Sequence, residues 1–250
     1  MKKFCFFTVV NDFYKPFIPL FIESAKKAYP EYDIVIFTNN KNHIDGNYHD
    51  MIVDNLLISE DPYKCAVSRF LLCPDELMDY ENVLITDIDI MIFKEDKPIC
   101  EYHVDRIAKN GTQVYDNVFY YNEKTENWRC SGVHFVTREW WDRTAKARKA
   151  VFEELATQRL EKGRDEELLA DVITKSDLPI VKNQPTIEFV HGIHLGAWRR
   201  AYKKKILRQL PANETIMYSE AIKDELFIKQ AESHQIVQDI YNTIKNRLLR

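Results

Sequence analysis

Two carboxylates interrupt the most apolar stretch of the chain. The run Val83-Leu84-Ile85-Thr86-Asp87-Ile88-Asp89-Ile90-Met91 is otherwise aliphatic apart from Thr86. A charge inside such a run is costly unless it is paired or bound to a cation. With one residue between them in extended chain, Asp87 and Asp89 point to the same side. Ligands of open α/β sheets sit at the carboxyl ends of strands. An oxygen-rich pair at that place suits a hard divalent ion such as Mg2+ or Mn2+, and the ion in turn holds a diphosphate. The plainer alternative is that the two aspartates end a strand and cap a turn.

The elements that must carry this pair are legible on either side of it. Phe4–Val10 is a short apolar run that reads as a buried strand. Ile18, Phe21, Ile22, Ala25 and Tyr29 recur at helical spacing before Pro30. Asp33–Thr38 reads as a second strand, followed by a polar loop over Asn39–Asn47, with His49–Asp54 as a third strand. Ala66–Leu72 reads as a helix, and Asn82–Phe93 begins as a central strand. This alternation predicts a parallel sheet covered on both faces. Farther on, Gly111–Tyr121 and Val133–Thr137 read as strands and Trp140–Lys162 and Asp165–Lys175 as helices. Pro179–Val190 returns to extended character. Ile236, Ile240, Ile244 and Leu248 mark one helical face near the end. The division predicted is an α/β domain over 1–213 and a helical extension over 214–250.

Composition narrows the class. The chain has 250 residues, 45% of them hydrophobic and 30% charged, which is the balance of a soluble folded protein rather than a disordered one. A formal net charge of −4 offers no general basic field for nucleic acid. The five cysteines include no Cys-x-x-Cys pair, so zinc and redox motifs are not expected and reduced thiols are. Asn11 and Asp12 break the N-terminal apolar run before it could serve as a signal peptide, and no stretch reaches the roughly 18–20 apolar residues of a spanning helix. A cytoplasmic protein is expected. The segment Arg199–Arg208 carries six cations in ten residues. It reads as a solvated helix face, as a peripheral contact with anionic lipid headgroups, or as an attractor of an anionic donor.

With these peptides in order, residues 4–198 resemble the nucleotide-sugar-dependent glycosyltransferases of the GT-A fold. The Asp87-Ile88-Asp89 peptide is similar to that family's DxD motif, which binds the metal and the donor diphosphate. Phe6-Phe7-Thr8-Val9-Val10-Asn11 resembles the first strand, whose end contacts the nucleoside, which nominates Thr8, Val9 and Asn11. Lys64–Phe70 (KCAVSRF) precedes the DxD at the spacing of the family's Arg-bearing helix. Cys130-Ser131-Gly132-Val133 resembles the small-residue strand start after the DxD. Asp165-Glu166-Glu167-Leu168-Leu169 resembles the acidic helix start that faces sugar and acceptor. Val190–Trp198 (VHGIHLGAW) resembles a C-terminal His/Gly/Trp peptide whose His completes the metal site or touches the diphosphate. Here that His is His194 or His191. Gly-Ala-Trp-Arg stands where retaining members carry Lys-Pro-Trp, which leaves the stereochemistry open.

The resemblance implies a mixed, mostly parallel Rossmann-like sheet flanked by helices with a helical C-terminal appendage. It implies a sugar transferred from a nucleoside diphosphate, UDP by default, to a glycan or lipid-linked hydroxyl. Asp87, Asp89 and a histidine would hold Mn2+ or Mg2+, and Ile88 would lie between them against the donor. Arg69 or Lys64 would add positive charge, with Arg the better bidentate partner of phosphate. An inverting reaction needs a carboxylate base, for which Asp165, Glu166 and Asp116 are candidates; acidic residues at a helix start also simply complement its dipole. Tyr120, Tyr121 and Trp128 could stack on an acceptor sugar. Two other readings remain. A haloacid-dehalogenase-like phosphatase also ends a strand in DxD, with Asp87 as nucleophile, although it expects a later acidic pair that this chain does not offer. A non-catalytic carbohydrate-binding protein would keep the fold without turnover.

Overall fold

The computed structural model describes residues 1–40, 44, 48, 51–54, 61–123, 126–157, 164–182, 190–198 and 212–248. Strand β1 (Lys2–Val10) is buried from Phe4 onward, as a strand covered on both faces must be. A 3-10 turn (Asp12–Phe17) leads into α1 (Ile18–Ala28), followed by β2 (Asp33–Thr38), β3 (Ile52–Asp54) and α2 (Pro62–Leu71). Next come β4 (Tyr80–Ile85), β5 (Ile90–Ile92), α3 (Ile99–Asn110), β6 (Tyr115–Asp116), β7 (Phe119–Asn122), β8 (Asn127–Cys130) and β9 (His134–Thr137). The chain continues through α4 (Arg138–Thr157), α5 (Arg164–Lys175), β10 (Gly192–His194), α6 (Ala212–Ala221), α7 (Glu225–Ser233) and α8 (Gln235–Leu248).

The central sheet runs β3-β2-β1-β4-β9-β6. The first four strands are parallel, and β9 is antiparallel to both β4 and β6. This is a mixed, mostly parallel α/β sheet flanked by helices. Strand order reverses between β1 and β4, the kind of switch point where open sheets hold ligands. Alternate residues of β1 feed two cores. Phe4 and Phe6 pack with α1, α3 and the helices α6 to α8. Cys5, Phe7 and Val9 pack with α2, α4 and α5.

Several expectations change. The Asn82–Phe93 run is not one strand. It stops at Ile85, and Ile90–Ile92 pairs in a separate two-stranded sheet with β10. Gly111–Tyr121 is not a strand either. Gly111 ends α3 in the left-handed conformation (φ 66°), which Gly adopts without steric cost. Beyond it, β6 joins the central sheet while β7 pairs with β8. Helix α3 adds an element that the alternation of the sequence does not predict. Most of the polar loop after β2, the first residues of His49–Asp54, the end of Trp140–Lys162, most of Pro179–Val190 and all of Arg199–Arg208 lie outside the described residues. Among the described residues, no helix is long and apolar enough to cross a membrane. The five cysteines are free thiols.

Two histidines are locked neutral in this frame. His134 on β9 is fully buried and meets the Asn117 amide at 3.1 Å. Burial, reinforced by Arg69, lowers its pKa from 6.5 to about 3. His191 is buried with its Nε2–H donating to the Lys97 carbonyl at 2.8 Å, and burial lowers its pKa to about 4. Both folded values lie below the ordinary value of the unfolded chain, so the unfolded state takes up protons first. Their stabilisation is complete above about pH 6.5 and is lost as pH falls toward those folded values. Denaturant unfolding at pH 7 and pH 5 should therefore show a loss of about 2 kcal/mol for each histidine. His191→Gln should remove its share of that loss; an unchanged pH dependence would contradict the neutral assignment.

Candidate functional site

The site is assembled by a short ladder. Strand β10 pairs antiparallel with β5 in the register Gly192 to Ile92, Ile193 to Met91 and His194 to Ile90. Ile90 directly follows Asp89, so this register carries the His194 imidazole to the aspartates. His194 Nε2 lies 3.1 Å from Asp89 Oδ1 and 3.9 Å from Asp87 Oδ2. One ligand atom from each of the three residues falls within 4.8 Å of the others. The Leu195 N–H donates to the Asp89 carbonyl at 2.8 Å, extending the pairing by one bond. The next residue is Gly196, where a Cβ would sit 1.9 Å from Asp89 Oδ2 and 3.1 Å from His194 Nε2. Any side chain there would have to displace the Asp89 carboxylate.

A second layer of charge adjoins the first. Arg69 is buried on the last turn of α2, a helix fixed at both ends. The Asp61 carboxylate caps its start by accepting from the Tyr63 and Lys64 N–H groups. The Arg148 guanidinium closes its end by donating to the Leu71 carbonyl at 2.9 Å. Arg69 donates to Asp87 Oδ1 and, at 3.2 Å, to Asp165 Oδ2. Burial alone would lower its pKa, but Asp87 and Asp165 outweigh that effect and raise it, so it stays charged. Asp165 and Glu166 open α5. Glu166 Oε2 accepts from the Tyr120 hydroxyl at 2.8 Å and lies 3.6 Å from Arg129, whose guanidinium stacks on the Tyr120 ring. Burial raises the pKa of both carboxyls; Arg69 opposes the rise at Asp165, and the Asp165 charge adds to it at Glu166. Gly132 forms the wall between the layers. A Cβ there would lie 3.3 Å from Asp87 Oδ2, 3.4 Å from Arg69 and 3.8 Å from Glu166 Oε1.

The structure thus gathers Arg69, Asp87, Asp89, Asp165, Glu166 and His194. It does not gather the others. His191 is turned away into the core on its bond to Lys97, so of the two histidines His194 alone faces the aspartates. Asp116 is fully buried, with one oxygen taken by His103 at 2.7 Å and Arg106 at 2.8 Å. It ties α3 to β6 and has no path to a substrate as a base. Lys64 lies five residues before Arg69, about 140° around the helix, away from the Arg69 direction. The Ile88 side chain is core, which leaves only its backbone for a ligand. Thr8, Val9 and Asn11 are buried at the end of β1, and the Thr8 and Thr86 hydroxyls are buried with no hydrogen-bond partner at the carboxyl ends of neighbouring strands. The three aromatics do not form one platform. Tyr120 turns to Glu166, whereas Tyr121 and Trp128 pack edge to face on the other side of the β7–β8 pair, with Lys182 over Trp128. Nothing in the sequence marks Arg129 except its place two residues before Ser131-Gly132.

Two carboxylates and one imidazole are an oxygen-rich donor set with one borderline nitrogen, suited to Mn2+ and acceptable to Mg2+. Gly196 lets the backbone pass directly against the Asp89 carboxylate without displacing it. The residues present fit a divalent cation.

No family model matches the chain, and no curated protein does. Among solved structures, it is similar to the apo form of the glycosyltransferase GlyE of Streptococcus pneumoniae TIGR4. The identity is 12% over 74% of this chain and 46% of that one, with a TM-score of 0.42. A second GlyE structure is similar at 12% identity over 82% of this chain and 50% of that one, with a TM-score of 0.44. The chain spans about half the length of the glycosyltransferases it matches.

Gly196→Ala should displace the Asp89 carboxylate and weaken Mn2+ binding at least about tenfold in titration calorimetry. Gly111→Ala is the control: it meets no atom within 4 Å, should cost about 1–2 kcal/mol for its left-handed backbone, and should leave Mn2+ affinity alone. Equal Mn2+ affinities for the two variants would refute this role of Gly196.

Proposed function

We propose that the chain is a divalent-cation-dependent glycosyltransferase, moving a sugar from a nucleoside diphosphate, UDP by default, to a hydroxyl of a glycan or glycolipid. The observation that carries this reading is the Asp87, Asp89 and His194 group set against Arg69 and two carboxyls of raised pKa. The resemblance of the ordered peptides to DxD glycosyltransferases agrees with it.

Each residue then has a task. Asp87, Asp89 and His194 would hold Mn2+ or Mg2+. A bound divalent cation supplies Lewis acidity toward the oxygens of a leaving diphosphate. Arg69 orients Asp87 and Asp165 and keeps positive charge beneath the site. Transfer requires that the acceptor hydroxyl lose its proton as the glycosidic bond breaks. In an inverting reaction Glu166 is better suited than Asp165 to receive it. Each has one oxygen engaged, Asp165 by Arg69 and Glu166 by Tyr120, but the Glu166 side chain is the more exposed, 26% against 17%. Its raised pKa brings the carboxylate closer to the working pH, which favours proton acceptance. A retaining reaction needs no such base. A lipid-linked acceptor with membrane contact through Arg199–Arg208 fits the cationic sequence of that segment.

The test is a thermal-shift panel of UDP, GDP and dTDP with Mn2+, Mg2+ or EDTA, followed by release of nucleoside diphosphate from the matching sugar donor. One nucleotide at 100 times its Kd should stabilise the fold by about 2.7 kcal/mol. EDTA and Asp89→Asn should abolish that effect and donor turnover together. No response to any nucleotide, with phosphate released from monoesters instead, would replace this reading with a phosphatase.

A further inference from the structure

The β5–β10 ladder is too small to stand alone. It has three register pairs, and an isolated two-stranded ribbon is at best marginally stable in water. Its geometry is fixed from both sides. On the β5 side, the Ile92 N–H donates to Ser24 Oγ of α1 at 3.0 Å. On the β10 side, the support comes from α6. The Tyr218 hydroxyl donates to the His194 carbonyl at 3.3 Å, and the Trp198 indole meets the Tyr218 ring edge to face at 5.3 Å. Trp198 is in turn tied to the ladder by its backbone N–H, which donates to the Leu195 carbonyl at 3.0 Å. Tyr218 is 1% exposed and shares one core with Ile90, Ile193 and Leu195. Helix α6 is braced behind. Its Met217 and Ala221 join Phe227 of α7 and Val237, Ile240 and Ile244 of α8 in that core, and Tyr241 donates to the Ile222 carbonyl at 3.2 Å. The carbonyl that Tyr218 holds belongs to the residue whose imidazole faces Asp87 and Asp89.

We infer that the C-terminal helices are a working part of the cation site: Tyr218 is a positioning residue for His194, and cation binding and docking of α6 stabilise one another. The inference rests on the cation-site reading of the proposed function. Two states of the same element are involved, α6 docked with His194 presented and α6 loosened with His194 released. A cation that needs His194 binds the docked state more tightly and stabilises it by mass action. By reciprocity, whatever loosens α6 weakens the cation by the same factor. The C-terminal helices therefore provide a route by which a partner or acceptor bound on them could set the cation affinity of a site it does not touch.

Hydrogen exchange of the full-length protein, with and without Mn2+, tests this beside direct Mn2+ titration. Mn2+ should slow exchange in peptides spanning 212–221 and leave α4 unaffected, and His194→Ala should abolish the slowing. Tyr218→Phe keeps the ring contact with Trp198 and removes the hydroxyl. It should bind Mn2+ about tenfold more weakly with α4 protected as in the parent. The inference fails by itself if the parent binds Mn2+ while exchange in α6 does not respond and Tyr218→Phe binds equally well. If the parent binds neither Mn2+ nor Mg2+, the cation-site reading falls and takes the inference with it. The parent's exchange response needs no variant, so poor folding of Tyr218→Phe would not remove the test.

Discussion

Pairing of His194 with Ile90 is the constraint on which the site depends. Asp87 and Asp89 leave the end of β4 on a loop, where two carboxylates alone would repel. The antiparallel register of β5 and β10 adds the imidazole, and the Leu195 bond to the Asp89 carbonyl fixes the turn beyond it. Gly196 then follows because the chain passes within van der Waals distance of a carboxylate it must not displace. The central sheet serves this ladder indirectly. It ends β4 where the Thr86 N–H meets the Phe7 carbonyl, at the strand-order switch, and it supports α1 and α2, which carry Ser24 and Arg69.

Charge balance explains the surroundings. Asp87, Asp89, Asp165 and Glu166 are crowded beneath partial cover, which is tolerable only with counter-charge. Arg69 supplies one permanent positive charge at its base, shared between Asp87 and Asp165. Arg129 supplies a weaker contact to Glu166 from the β7–β8 pair. The remaining negative excess lies around Asp87 and Asp89, the place the proposed cation would occupy. Burial, with the neighbouring carboxylates adding to it, raises the carboxyl pKa values on α5 and makes them candidates for proton transfer.

Much of this was legible because it broke a pattern. Two aspartates in an aliphatic run announce themselves, and the alternation before them marks a parallel sheet. What stayed hidden depends on contacts distant in sequence. The choice between His191 and His194 turned on register: one residue pairs with Ile90, and the other is anchored to Lys97 in the core. In the sequence Asp116 reads as a candidate base; His103 and Arg106, distant in sequence, take its carboxylate and seal it in the core. Helix α3 hid because its buried positions Ile99, Cys100, His103 and Ile107 include a histidine, which blurs the apolar stripe. Pro98 before it and Gly111 after it were the available signals. Tyr218 had no signal at all, since its function comes from a backbone carbonyl.

The most direct test of the account is pulsed electron paramagnetic resonance on the full-length protein with Mn2+ bound. The account predicts a coupling from one imidazole 14N that His194→Ala abolishes, with His191→Gln retaining it. Mn2+ bound without a nitrogen coupling, or a coupling that survives His194→Ala, would contradict the assembly of the site by the β5–β10 ladder.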